Sequence, residues 1–113
     1  MMGSNNMKSV RIGELTWTEI RKAMENGYKT VIFAIGSTEQ HGPGLPEYTD
    51  TLQGDFIAHK LALRLRKTLV APAINVGCSE HHLAFPGTIS LRKETLKAVV
   101  EDYADSLVHH GFN

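Results

Sequence analysis

The chain has 113 residues, 42% hydrophobic and 21% charged, which is enough for one modest globular domain and too little for two ordinary ones. Twelve basic residues balance twelve acidic ones, with no basic run, so the charge pattern favours neither nucleic acid nor an anionic membrane surface. No segment has the roughly 18 consecutive apolar residues of a membrane span, and Cys78 is alone, which excludes an internal disulfide and fits a reducing, cytoplasmic setting.

The opening MMGSNNMK lacks the charged region and apolar stretch of a secretory signal, so residues 1–8 read as a disordered leader or a remnant of expression, and 9–113 as the domain. Thr16-Trp17-Thr18-Glu19 has capping-box spacing and predicts a helix from Thr16 to about Asn26, with Gly27 suited to the left-handed position that ends it. Thr30 to Ile35 (TVIFAI) is an unbroken β-rich apolar run, expected to be a central parallel strand covered on both faces.

Good helix formers with recurring apolar residues then predict a helix over roughly Thr51 to Arg66. A second apolar run, Leu69 to Ile74, carries Pro72, which argues for a strand end or edge. Strand, helix and strand make a βαβ unit with parallel strands. Gly77 to Pro86 (GCSEHHLAFP) reads as a polar loop, and Gly87 to Ser90 as a candidate short strand. Leu96, Val99, Val100, Tyr103 and Leu107 follow helical spacing between Arg92 and His110, with Gly111 as the stop. The expected architecture is therefore α/β, a mostly parallel sheet with flanking helices.

The chemistry concentrates where the first strand ends, in GSTEQHGPGLPEYTD (Gly36 to Asp50). In open α/β sheets the functional crevice lies beyond the carboxyl ends of the strands. If the backbone stays extended past Gly36, Glu39 and His41 point to one side. Asp50, expected just before the next helix, could return to the same point and offer two oxygens, one to each of two metals. Carboxylate and imidazole donors suit zinc, manganese or iron. By spacing alone the alternatives stay open: Asp50 as a simple helix cap, and Glu39 with His41 as a solvated pair.

This stretch resembles the signature of the creatininase family of metal-dependent creatinine amidohydrolases, and SEHHLAFPGTISL (Ser79 to Leu91) resembles that family's second block. The resemblance runs from Ile12 to Asn113. It implies a binuclear centre, often zinc or manganese, in a homo-oligomeric hydrolase of cyclic amides or related C–N bonds. It places metal ligands on Glu39, His41 and Asp50, the last as the bridge. Gly44 stands where many relatives carry a second histidine, a departure beside the site. The family is about twice this length and continues past the matching region with a strand and a Gly-His-x-x-Asn-like motif, so the sequence is expected to be an amino-terminal portion whose site is completed elsewhere.

The resemblance also sets the Ser79–His82 loop beside the substrate, with Ser79 and His81 contacting substrate or supporting the ligands; a plain polar surface loop is the alternative. Cys78 is expected to be a buried or neutral thiol rather than a nucleophile. Trp17 and Tyr28 are assigned to packing, and His109 and His110 to the end of a helix. Two functions follow: a metal-dependent amidohydrolase acting on a small-molecule amide, with no nucleic-acid or membrane partner, or a non-catalytic binding or assembly module of the same fold.

Overall fold

A computed structural model describes residues 7–113. Most of the proposed leader, residues 1–6, lies outside the described residues; Met7 packs on the core and Lys8 pairs with Glu19 at 3.6 Å. The first helix, α1 (Trp17–Glu25), starts at the predicted capping box: Thr16 Oγ1 accepts from the Glu19 amide, and the Glu19 carboxylate accepts from the Thr16 amide. It stops at Gly27, whose φ of 98° belongs to glycine.

Two strands follow, β1 (Thr30–Ile32) and β2 (Thr68–Val70), joined through α2 (Thr49–Leu65) and paired in parallel with Val31 opposite Leu69. Both are shorter than the apolar runs that contain them. β1 gives way to a single further parallel bridge, Ile35 with Ile74, because the second run carries one extra residue between the paired positions: Ile32 to Ile35 is three steps and Val70 to Ile74 is four, a bulge in the segment that holds Pro72. Expected to be central, β1 has β2 as its only partner strand among the described residues. The middle position belongs to β2, which meets β1 on one side and Arg11 on the other, where the Val70 amide bonds the Val10 carbonyl. Accordingly β2 is buried throughout while β1 is half-buried.

Alternation along β2 assigns the layers. Leu69 packs with Ala23 of α1 and with Phe112, whereas Val70 packs with Ala58 and Ala62 of α2. The last helix, α3 (Lys93–His109), has no fully buried residue. It is anchored by Tyr103, whose ring stacks on Phe33 at 4.3 Å and whose hydroxyl donates to the Pro72 carbonyl. Burial raises the pKa of that phenol.

Gly87–Ser90 is not a strand; Ile89 and Ser90 make single bridges to Thr38 and Gly77. The polar loop before it holds a 3₁₀ turn at Glu80–His82. Trp17, expected in packing, is 66% exposed with Arg21 over its ring at 4.6 Å, while Tyr28 does pack against the core. Cys78 is free and exposed rather than buried. The Cα radius of gyration is 16.1 Å, against about 13 Å for a compact domain of 100 residues. The looseness shows as uncovered apolar side chains, including Phe56, Ile57 and Leu61 on α2.

Candidate metal centre

The site forms where the chain leaves β1 and doubles back to start α2. Gly36 lies so close to α2 that a Cβ there would sit 2.6 Å from Thr51 Cα. No side chain fits without moving backbone. The approach is fastened by two reciprocal bonds, Ser37 amide to Thr51 Oγ1 at 3.1 Å and Thr51 hydroxyl to the Ser37 carbonyl at 2.9 Å. Between these ends a small hairpin turns at Gly42 (φ 70°), with His41 bridged to Leu45 and the Glu39 amide bonded to the Glu47 carbonyl. The loop is thus tied at its base and folded on itself.

Asp50 differs from expectation in place. It lies in the first turn of α2, not before it, and the N-cap is Tyr48, which makes no side-chain cap bond. Simple capping therefore does not account for the aspartate. Its Oδ2 accepts from the Ser37 hydroxyl at 2.7 Å, and its Oδ1 faces His41 Nε2 at 3.2 Å. The Ser37 hydrogen bond chiefly, and His41 after it, hold the Asp50 carboxyl below its ordinary pKa. The partial positive charge at the helix start acts in the same direction.

His41 is oriented by the backbone. Its Nδ1 lies 3.0 Å from the Glu39 carbonyl oxygen. A carbonyl can only accept, so Nδ1 carries the proton and the neutral ring keeps its lone pair on Nε2. That lone pair points at the Asp50 carboxylate. Two acceptors meet at 3.2 Å only with a cation between them, either a proton on His41 or a metal ion. Without metal the proton serves: the hydrogen bond to the Glu39 carbonyl first, then Asp50, raises the His41 pKa.

Glu39 completes the group. One ligand atom each from Glu39, His41 and Asp50 lie within 4.8 Å of one another, all half-buried. The donor set of two carboxylates and an imidazole with its free nitrogen turned inward is one that zinc or manganese accepts.

The second loop closes over this group. Ser79, fully buried, donates its hydroxyl to Glu39 Oε1 at 2.5 Å, and its amide donates to Ser90 Oγ at 2.9 Å. His82, not His81, faces the carboxylates: its Nε2 lies 3.6 Å from Glu39 Oε2. His81 is exposed and packs against His82 with ring centres 4.0 Å apart and planes tilted by 45°. Gln40, which the sequence did not single out, joins the loops through His82 Nδ1 at 2.8 Å. Ser37 was missed too, although a hydroxyl one residue past a strand-ending glycine is a usable signal. Glu47 Oε1 is buried against Gly87 and is the one such side-chain oxygen without a partner among the described residues.

Fold and site together define a parallel α/β protein with a carboxylate–imidazole cluster at the carboxyl ends of its strands. The profile of the creatininase family, described as creatinine amidohydrolase, matches residues 13–113, and the chain belongs to that family. It is 33% identical over 109 residues to the creatinine amidohydrolase of Pseudomonas putida, covering 92% of this chain and 42% of that one. A mycofactocin precursor peptide peptidase of Mycobacterium ulcerans is 34% identical over 103 residues, covering 84% of this chain and 41% of the relative. A manganese creatininase structure superposes with a TM-score of 0.84, and a Zn-Zn creatininase variant with 0.83; each is 34% identical, with 93% of this chain and 42% of that chain covered. The chain thus spans less than half the length of these relatives. No helix among the described residues is long and apolar enough to cross a membrane.

Proposed function

We propose that this chain supplies the first part of a divalent-metal site in an amidohydrolase that cleaves a cyclic amide or related C–N bond of a small molecule. The observation that carries the reading is the inward-facing Nε2 of His41 set against Asp50 at 3.2 Å, with Glu39 in the same cluster. Glu39, His41 and Asp50 would hold the metal, and Asp50, with two oxygens on offer, would bridge a pair of ions. Relatives whose names include an amidohydrolase and a peptidase, and structures named for zinc and manganese, support amide chemistry and those metals.

Three side chains match the ligand count of one catalytic zinc with an open position. A second ion needs ligands from outside residues 7–113. Bound metal would polarise the scissile carbonyl and lower the pKa of an attacking water. The chain's own contribution is placement: Ser37 fixes Asp50, the Glu39 carbonyl fixes His41, and Ser79 fixes Glu39. Ser79 and the His81–His82 turn border the space a substrate would enter.

The same reading takes the protein as cytoplasmic and self-associating. An apolar groove of about 850 Å3 between α1 and α3, lined by Ile20, Met24, Leu107 and Phe112, supports burial against further protein. The decisive experiment is Asp50→Ala in the complete gene product, with metal content and amide hydrolysis measured together. Tight metal binding and turnover should both disappear. Retention of stoichiometric zinc or manganese would remove Asp50 from the role.

A further inference from the structure

We propose that Gln40 sets the tautomer of His82, so that this histidine turns an N–H toward Glu39, steadies that carboxylate and is not a metal ligand; the positioning role rests on reading Glu39 as a ligand. The argument starts at Gly42, whose amide lies 2.8 Å from Gln40 Oε1. A backbone amide only donates, so the atom it meets is the side-chain carbonyl oxygen, and the other terminal atom of Gln40 is the NH2 group. That NH2 lies 2.8 Å from His82 Nδ1. It too can only donate.

Nδ1 of His82 therefore accepts, and the proton of the neutral ring sits on Nε2. This N–H faces Glu39 Oε2 at 3.6 Å, longer than a direct hydrogen bond, so the neutral ring acts on the carboxylate through the positive end of its N–H dipole. Both side chains are mostly shielded, at 23% exposure for His82 and 17% for Glu39, so the attraction is only partly screened. The other carboxylate oxygen receives the Ser79 hydroxyl at 2.5 Å. Each oxygen of Glu39 is thus faced by a donor from the second loop.

The two site histidines are set in opposite senses. His41 gives its proton to a backbone carbonyl and turns a lone pair inward, whereas His82 spends its lone pair on Gln40 and turns a proton inward. His82 cannot ligate through Nε2 while the Gln40 contact lasts. The sequence offers no way to tell these histidines apart, since an imidazole looks the same in either role.

The test is made on the complete, metal-free protein labelled with 15N, using long-range proton–nitrogen spectra at a pH where the imidazoles are neutral. His82 should be protonated at Nε2 and His41 at Nδ1. The tautomer is read in the wild type, so the assignment does not depend on a variant folding. In Gln40→Met the His82 signals should move to a mixture of tautomers, and zinc affinity, measured by competition with a chromophoric chelator, should fall about 10-fold or more. His82→Gln, whose amide still donates, should keep more affinity than His82→Leu. An Nδ1-protonated His82 in the wild type overturns the proposal, as does unchanged zinc affinity in both Gln40→Met and His82→Leu. A wild type that binds no zinc but keeps the Nε2–H tautomer overturns the metal reading of Glu39, and with it the positioning role, while the tautomer assignment stands.

Discussion

The loop that leaves β1 offers lone pairs, from Glu39, His41 and, across the hairpin, Asp50, whereas the loop that leaves β2 offers protons, from Ser79 and His82. Acceptors gathered within 4.8 Å repel one another, so holding them together without a cation has a cost. Donors on the facing loop offset that cost without competing for the lone pairs turned inward. The difference teaches that a ligand set is made by two loops, one to present it and one to hold it, and that only the first is conspicuous in the sequence.

The comparison can be broken most severely on the presenting side, where Asp50→Ala should abolish tight metal binding. On the holding side the expected effect is smaller: Ser79→Ala leaves Glu39 Oε1 without its donor and should weaken metal affinity about 10- to 100-fold. Chelator competition on the complete protein measures both, and an unaltered affinity in Ser79→Ala would mean that Glu39 needs no support from the second loop.

Acidity tests the presenting side alone. The His41 pKa lies above its ordinary 6.5, so a proton competes with metal at Nε2, and affinity should fall about tenfold per pH unit below that raised value and level off above it. In the metal-free protein the contribution of His41 to stability is fully present below pH 6.5 and is lost as the pH rises through its raised pKa. That of Asp50 is present above pH 3.8 and is lost as the pH falls through its lowered pKa. The pair therefore contributes most between 3.8 and 6.5, and denaturant melts across that window check it.

The smallest effect is a control far from the site. Thr16→Ala removes the α1 capping hydroxyl and should cost about 1 kcal/mol in urea melts while leaving metal affinity as it was. A change in affinity would show that α1 is coupled to the loops.

Several features were legible because they depend on neighbours in sequence. The capping box at Thr16, the glycine stops at Gly27 and Gly111 and the parallel pairing through α2 all follow from local spacing, whereas for Glu39, His41 and Asp50 spacing left a solvated pair and a helix cap open and the family resemblance singled out the trio. Strand lengths were overestimated, because hydrophobicity marks burial and not hydrogen bonding, and β1 was expected at the centre because nothing local shows that Val10 and Arg11 pair with β2.

By itself the sequence determined which residue types stand at the end of β1, and hence that a cation-binding acceptor set is chemically available there. Only the tertiary structure decided that Ser37 and Thr51 clip α2 onto Gly36, that Asp50 sits inside the helix, and that His82 rather than His81 turns toward Glu39. The physical reason lies in distance and rotation. Ser79 and His82 reach their partners across about 40 residues of chain, and a 3₁₀ turn sets successive residues roughly 120° apart, so of two adjacent histidines only one is aimed at Glu39.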